Sequence, residues 1–250
     1  MKKVFICAFC LTLATPCLLN AGEPTPKKRP LLSAVEISQG WQTLSSKATF
    51  SEWQPTHPYD LFGFWTFSEH TISLKPGAGD IHTANTYSDY ELELEWKVEP
   101  GGESGIILNA APGVSPAWKS GFRFQLADNT SPHITAENKE LSGSCYQLIP
   151  AAEKVPYKAH QWNTARIVKK GEHFTFFLNG VKSADFQARS NTMKEAVKNS
   201  NSYQNLAAFG NFQAGYIVLE DRGSAVSFRN IKIRSTEAYI STPIKLQFLD

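Results

Sequence analysis

Three glutamates alternate along one short stretch of this chain, and their spacing could bring two carboxylates to bear on one ligand. The segment YELELEWKV places Glu91, Glu93 and Glu95 two residues apart, with apolar side chains between them. Alternate side chains of a β-strand share a face and lie about 6.5 to 7 Å apart. That separation suits the acid and base of a glycosidase, although any half-buried strand shows the same alternation. The pattern alone leaves both interpretations open.

Two arginines and a polar strand end provide further candidates. Arg123 lies in the apolar run FRFQLAD, and Arg222 ends the run YIVLEDR. A fixed guanidinium group stabilises an oxyanion that develops during a reaction. Gln125 and Asp128 lie at the end of the first run, where they could bind hydroxyl groups or form an Asx turn. The sequence leaves open whether Arg123 and Arg222 act on developing charge or only face solvent, and whether Gln125 and Asp128 bind a ligand or form the turn.

Tryptophans offer an apolar surface on which a sugar ring can stack. Trp118 lies in the Pro- and Gly-rich segment APGVSPAWKSGF, so it is a candidate platform for substrate. The alternative is that it packs against the edge of the domain. Trp96 and Trp162 follow strand alternation and are expected in the core.

The common catalytic signatures are absent from the sequence. There is no Gly-x-Ser-x-Gly, no Walker loop, no dinucleotide glycine pattern and no His-x-x-x-His pair. Histidines occur at positions 57, 70, 82, 133, 160 and 173, without ligand spacing. The sequence identifies no cofactor, and a divalent metal remains open.

Period-two alternation dominates the rest of the chain. Strand-like runs begin near residues 90, 122, 163, 173, 215 and 225, and Gly, Pro and Asn turns separate them. Asn179 and Gly180 between two runs indicate a two-residue hairpin, because both positions need positive φ. The sequence predicts an all-β antiparallel jelly-roll sandwich with one short helix near residues 192–199, where Thr192 and Glu195 have capping-box spacing.

The N-terminus has the features of an export signal. Lys2 and Lys3 precede an apolar run at residues 4–14, and we expect a signal peptide at 1–21 and a periplasmic or secreted protein. The apolar run is too short to span a bilayer, so no membrane insertion is expected. Lipid attachment at Cys17 is disfavoured because Pro16 precedes it. We expect a flexible leader at 22–39, the jelly-roll domain at 40–236 and a tail at 237–250.

Charge and cysteine content narrow the classes of partner. Without residues 1–21, the 25 basic side chains of the chain fall to 23, which equals the 23 acidic ones. A net charge near zero gives no electrostatic footprint for nucleic acid. The same removal leaves Cys145 alone, so we expect no internal disulfide.

Five blocks of the sequence together resemble the 3-keto-disaccharide hydrolase family, long known as domain of unknown function 1080. They are GDIHTANTYSDYELELEWKVEPGGESGIIL, FRFQLADN, CYQLIP, QWNTARIVKKGEHFTFFLNGVKSADF and VLEDRGSAVSFRNIKIR. The resemblance implies an exported, concanavalin-like jelly roll that cleaves sugars oxidised to a ketone at carbon 3. The ketone acidifies the proton on carbon 2, so a base can remove it, the anomeric substituent leaves by elimination, and water adds back.

Residue roles also follow from this resemblance. Glu95 and His82 become candidates for moving the proton, and Tyr146 for binding or proton transfer. Gln125 and Asp128 are expected to recognise the substrate's hydroxyl groups, and Arg123 and Arg222 to stabilise the enediolate. Residues in matching blocks also include Ser104, Asn163, Asp221, Arg229 and Asn230, of which the last two are expected to be structural.

The chain departs from the family pattern at several of these positions. Glu103 replaces a common Asn and is expected to bind substrate, and Asn109 stands where an Arg often follows. Arg123 replaces a usual Glu and Arg222 a usual His, exchanges that favour an anion over a cation. They also favour one alternative to an enzyme, a carbohydrate-binding module without catalysis. The Pro-rich leader and Trp118 leave open another alternative, an interaction domain of an outer-surface assembly.

Overall fold

The computed structural model describes residues 31–45, 52–56, 64–68, 70–132, 134 and 139–236. The expected signal peptide, leader residues 22–30 and the tail at 237–250 lie outside the described residues, as do His57 and His133. The expected domain boundaries therefore remain predictions at both ends.

Thirteen strands in the described residues form two antiparallel sheets. The strands are β1 (Gln42–Thr43), β2 (Trp53–Pro55), β3 (Trp65–Ser68), β4 (Thr71–Leu74), β5 (Ile81–Thr83), β6 (Tyr90–Val98), β7 (Glu103–Ala110), β8 (Phe122–Ala127), β9 (Asn163–Lys170), β10 (His173–Leu178), β11 (Val181–Gln187), β12 (Tyr216–Leu219) and β13 (Val226–Ser235). The eight-stranded sheet has the order β11, β10, β9, β6, β13, β4, β3, and β1 also pairs with β13. The five-stranded sheet has the order β2, β5, β12, β7, β8. This arrangement confirms the predicted all-β antiparallel jelly-roll sandwich.

The core lies between the two sheets and contains the apolar half of each alternating strand. On β6, Leu92, Leu94 and Trp96 are at most 3% exposed, as the alternation predicts. Phe122 of the five-stranded sheet packs 5.2 Å, between ring centroids, from Phe174 of the eight-stranded sheet. Burying one such side chain contributes roughly 1.5–3 kcal/mol. The opposite face of each strand is thereby left for polar side chains, and the candidate site depends on this alternation.

The hairpin predicted at Asn179 and Gly180 is confirmed. It joins β10 to β11, and its two residues have φ of +49° and +81°. Asn179 also caps the neighbouring strand, because its Oδ1 accepts from the Thr164 amide at 2.9 Å.

Two α-helices are present in the described residues where one was predicted. The predicted helix, α2, spans Asn191–Lys198, and its N-cap is Ser190, whose Oγ accepts from the Met193 amide at 3.1 Å. Thr192 is therefore inside the helix, and the capping box predicted for it is wrong. None of the described helices is long and apolar enough to cross a membrane.

The additional helix, α1 (Ala34–Ser38), lies in the segment that was expected to be a flexible leader. Ser33 and Glu36 form its capping box. Glu36 also accepts a 2.7 Å bond from Lys232 on β13, and these hydrogen bonds lower the pKa of Glu36 to about 2. The end of the leader segment is thus held against the eight-stranded sheet by hydrogen bonds that its sequence did not reveal.

Candidate active site

The acidic row of β6 lies on the outer face of the eight-stranded sheet, and it is not part of the candidate site. Glu95 accepts bonds from Arg229 at 2.6 Å and from Asn230 at 2.6 Å. Glu91 pairs in the same way with Arg234 and Arg166. Neighbouring strands supply a cation for each carboxylate, so the row is a cross-strand ladder of ion pairs. Glu95 therefore lies on the other sheet from the candidate site, and the catalytic role expected for it stays a prediction. The structural role expected for Arg229 and Asn230 fits the ladder.

Trp162 belongs to the same outer face and not to the core. Its indole is partly exposed, and the guanidinium of Arg229 lies 4.1 Å from the ring centroid. Lys97 lies 5.4 Å from the same ring. The alternation near the start of β9 did not reveal that Trp162 precedes the strand, so its expected burial is wrong.

A group of polar side chains lies on the outer face of the five-stranded sheet, and we call it the polar cluster. Phe122, Phe124 and Leu126 of β8 belong to the core, so the alternate residues Arg123 and Gln125 point to the opposite face. The members of the polar cluster are Asp80, Glu103, Arg123, Gln125, Tyr146, Glu220 and Arg222. All seven residues have ionisable or amide side chains. β7, β8 and the ends of β5 and β12 position six of them, and Tyr146 lies in the segment between β8 and β9.

A buried ion pair forms the base of the polar cluster. Arg123 donates to Glu220 at 2.6 Å, and both residues are 3% exposed. The pair lies over Gly105, where an added Cβ would be 2.6 Å from Glu220 Oε2 and 2.8 Å from Arg123 Cγ. The strand can accommodate the pair only because residue 105 has no side chain. Ser104 fixes Glu220 further by donating to its carbonyl at 2.8 Å.

A second ion pair lies closer to solvent. Arg222 donates to Glu103 Oε1 from Nε at 3.0 Å and from Nη2 at 2.7 Å, and Gln125 donates to Glu103 Oε2 at 3.2 Å. Burial alone would lower the pKa of Arg222, but the nearby carboxylates of Glu220 and Glu103 outweigh this effect and raise the pKa. The Tyr146 ring stacks over both arginines, 4.5 Å from Arg123 and 5.5 Å from Arg222. Five side chains thus hold one another in fixed positions.

Three buried polar atoms of the polar cluster have no hydrogen-bond partner. They are Arg123 Nε, Gln125 Oε1 and Glu220 Oε2. Since buried polar groups are nearly always paired, a donor and two acceptors left unsatisfied in one place indicate a site built for a polar ligand or water. A cavity of about 390 Å³ is lined by Glu103, Tyr146 and Arg222, which contact the residues that carry these atoms. Its volume falls in the range of small-molecule sites.

Asp80 is a member of the polar cluster that the sequence did not single out. Burial raises the pKa of Asp80 to about 7, and a 2.8 Å hydrogen bond from the Asp221 amide opposes this rise. The negative charges of Glu220 and Asp221 raise the pKa further. A carboxyl group that titrates near neutrality is suited to proton transfer. Sequence reasoning missed Asp80 because the carboxylates that perturb it are about 140 positions further along the chain.

Asp221 ties together the two loops that carry Asp80 and Arg222. Its Oδ2 accepts from the consecutive amides of Gly77, Ala78 and Gly79 at 2.8, 2.9 and 3.0 Å. Its Oδ1 accepts from Gly223 at 3.0 Å. Four backbone donors hold this carboxylate, so Asp221 positions the site and does not point into it.

His82 lies on the same face as the polar cluster but in a different cavity. The register aligns His82, Val218, Ile107 and Arg123 across four strands. Three strand spacings separate His82 from Arg123, which is about 14 Å. The imidazole lies 4.3 Å from the Tyr216 ring and lines a cavity of about 150 Å³. The structure therefore does not bring His82 together with Arg123 and Gln125.

Two predicted substrate-binding residues have structural contacts instead. Asp128 accepts from the amides of Gly101 at 2.9 Å and Thr130 at 3.0 Å, which is the Asx-turn alternative. Burial alone would raise the pKa of Asp128, but these hydrogen bonds outweigh it and lower the pKa. Trp118 packs against the core at 6.3 Å, between ring centroids, from Tyr203. These contacts favour the structural alternative for both residues.

The polar cluster does not fit a divalent cation. In the described part of the chain, no group of three or more His, Cys, Asp or Glu side chains could hold a metal ion. Within the polar cluster, the guanidinium groups of Arg123 and Arg222 already occupy Glu220 and Glu103. A metal would have to compete with two fixed cations for the same oxygens.

The fold and the polar cluster define a jelly-roll protein with a candidate small-molecule site on the outer face of one sheet. Residues 39–234 match the family model described as the 3-keto-alpha-glucoside-1,2-lyase-like domain. Because this match covers more than half of the chain, the protein belongs to that family of carbohydrate-processing enzymes of the hydrolase and lyase type.

Individual relatives agree with this assignment. The chain is 27% identical over 228 residues to the 3-keto-disaccharide hydrolase of Bacteroides thetaiotaomicron, and the match covers 79% of each protein. A crystal structure of a "putative glycosyl hydrolase" from Parabacteroides distasonis has a TM-score of 0.74 at 24% identity, covering 82% of this chain and 98% of that one. A second structure from the same organism has a TM-score of 0.60 at 23% identity, covering 78% and 98%. At these identities the two structures support the fold.

Proposed function

We propose that this protein is an exported enzyme that cleaves glycosides whose sugar ring carries a ketone at carbon 3, and that the polar cluster is its active site. The observation that carries the proposal is the cavity of about 390 Å³ that Glu103, Tyr146 and Arg222 line together. Arg123, Gln125 and Glu220 contact these lining residues from beneath. The relatives of this family act on ketosugars by name, and the charged groups of Glu103 and Arg222 can bind a sugar's hydroxyl groups.

Each step of the reaction can be assigned to a group that lines the cavity. Glu103, whose carboxylate side chain is 36% exposed, removes the proton from carbon 2, and the electron pair moves into an enediolate whose negative oxygen was the ketone. Arg222 lies 2.7 Å from that carboxylate and stabilises the new oxyanion. The bond from carbon 1 to the leaving oxygen then breaks, and the Tyr146 hydroxyl protonates this oxygen.

Hydration completes the cycle and restores both groups. Water adds its oxygen to carbon 1 and gives its proton to the Tyr146 phenolate, while Glu103 returns its proton to carbon 2. The product is the free 3-ketosugar. Arg123, Gln125 and Glu220 hold Glu103 and Arg222 in place from beneath, so they position the reacting groups.

The test is turnover of 3-keto-trehalose and 3-keto-lactose by the purified protein. Glu103→Gln should lower kcat about 10²-fold or more, because it removes the base. Arg222→Lys should also lower kcat, because one ammonium group does not replace the paired guanidinium donors. Glu95→Gln is the matched control, since it neutralises a carboxylate on the other sheet, and it should retain turnover.

Some results would overturn the proposal. Turnover that survives Glu103→Gln but is lost in Glu95→Gln would place the chemistry on the eight-stranded sheet and not at the polar cluster. Binding of the ketosugar without turnover, also when divalent cations are added, would indicate a carbohydrate-binding module, which the altered residues Arg123 and Arg222 favour.

Export is a separate part of the proposal and rests on residues 1–21 alone. Expression of the full chain in a Gram-negative bacterium should give periplasmic protein that begins near Gly22. Protein that keeps Met1 and stays in the cytoplasm would contradict export without affecting the assignment of the active site.

A further inference from the structure

A second cavity lies at the edge of the sandwich, beside the first residue of the edge strand β8. It has a volume of about 350 Å³ and is enclosed by α2, the start of β8 and the segment 204–211. Its lining shares no residue with the cavity of the polar cluster. It can therefore hold a ligand independently of the proposed reaction. We call it the edge cavity.

The floor of the edge cavity is apolar and fixed. Met193, Phe122 and Phe209 are 1%, 2% and 8% exposed. The ring of Phe122 packs 5.0 Å from Phe209 and 5.2 Å from Phe174, between centroids, so the floor continues the aromatic core of the sandwich. A floor held by core packing does not need to rearrange before an apolar group binds.

The rim of the edge cavity is positively charged. Arg189, Lys194 and Lys198 line it, and its lining contains no aspartate or glutamate. Arg189 has a partner, since it lies 3.1 Å from Glu172. Lys194 and Lys198 are four residues apart on α2 and share one face of the helix. Among the described residues, neither lysine forms an ion pair.

These features define the chemistry of the ligand. Two like charges side by side attract an anion, and a cavity with an apolar floor favours a hydrocarbon or aryl group. We propose that the edge cavity binds a small amphipathic anion. Its carboxylate or sulfate group contacts Lys194 and Lys198, and its apolar part lies on Phe122, Met193 and Phe209. The acidic group gives the orientation and part of the affinity, and the apolar part provides the rest.

Isothermal titration calorimetry with three probes of equal chain length tests this inference. Octanoate should bind at low ionic strength and lose affinity as salt is added, because the contact to the lysines is screened. Octanol should bind about tenfold more weakly, because it lacks the charge. Octylammonium should bind more weakly still, because its charge repels the rim.

Two paired variants separate the rim from general charge effects. Lys194→Gln with Lys198→Gln should weaken octanoate at least about tenfold and leave octanol unchanged. Lys154→Gln with Lys158→Gln removes the same charge from two lysines that are also four residues apart in the sequence but lie elsewhere on the surface. This variant should change the affinity for neither octanoate nor octanol. All four lysines are exposed, so both variants should keep the melting temperature of the unmodified protein.

The inference is overturned if octanoate does not bind at millimolar concentration. It is also overturned if octanoate, octanol and octylammonium bind alike, or if both lysine variants weaken octanoate equally. Turnover of ketosugars should be the same in both lysine variants, so failure of this inference is distinguishable from failure of the proposed function.

Discussion

Asp80→Asn should make the stability of the protein depend less on pH between about 4 and 7. The pKa of Asp80 is raised from 3.8 to about 7 in the folded state, so folding favours its protonated form. This contribution is fully present below about pH 4, and it is lost as the pH rises through 7. About three pKa units correspond to at most about 4 kcal/mol of unfolding free energy. Asparagine carries no titrating charge there, and its side-chain oxygen can still accept from the Asp221 amide.

Urea unfolding of both proteins at about pH 5 and about pH 8.5 measures this effect. The difference in unfolding free energy, Asp80→Asn minus the unmodified protein, should rise by a few kcal/mol from about pH 5 to about pH 8.5. Glu153→Gln is the control, because Glu153 is exposed and its substitution should give no such rise. Parallel pH profiles for the unmodified protein and Asp80→Asn would refute the claim that burial and the neighbouring carboxylates hold Asp80 protonated.

Two further substitutions test how the polar cluster is positioned. Gly105→Ala should lower the unfolding free energy by about 3 kcal/mol, because the Cβ of the alanine would displace the buried pair of Arg123 and Glu220. A loss below about 1 kcal/mol in urea unfolding would show that the pair can shift at little cost. Asp221→Asn should cost about 1–3 kcal/mol, because one of its amide donors cannot bond to an amide side-chain nitrogen. The substitution should also lower kcat for ketosugars, because the loops that carry Asp80 and Arg222 lose a shared anchor. If the protein loses stability but kcat is unchanged, Asp221 contributes to folding and not to the geometry of the site.

Much of the fold could be predicted from local pattern because the strands bury one face. The alternation at residues 90–98 matched β6 along its whole length, and the pair Asn179 and Gly180 gave the hairpin. Both signals depend only on neighbouring residues and on backbone sterics. The N-cap of α2 was placed two residues late, because Glu195 gives Thr192 the spacing of a capping box and Ser190 has no such partner, so the local signal favoured the wrong residue.

The candidate site could be predicted only in part, because the sequence does not reveal which sheet a strand joins. Glu95 and Arg123 both lie on alternating strands, yet they face outward from opposite sheets. Glu103, Tyr146 and Arg222 were identified and do share a cavity. Asp80 was missed because its pKa depends on Glu220 and Asp221, which are distant in sequence and gave no local signal.

The two ends of the described domain both meet β13. Strand β1 pairs with β13 through Gln42 and Ile233, the nearby helix is anchored to Lys232, and β13 is itself the last described strand. Both ends therefore join the eight-stranded sheet, whereas the candidate active site opens from the five-stranded one. A linker joined directly at Leu31 or Thr236 would therefore leave from the eight-stranded sheet and not from the face of the candidate active site. Residues 31–236 immobilised through such a linker should accept soluble sugars as readily as the free protein.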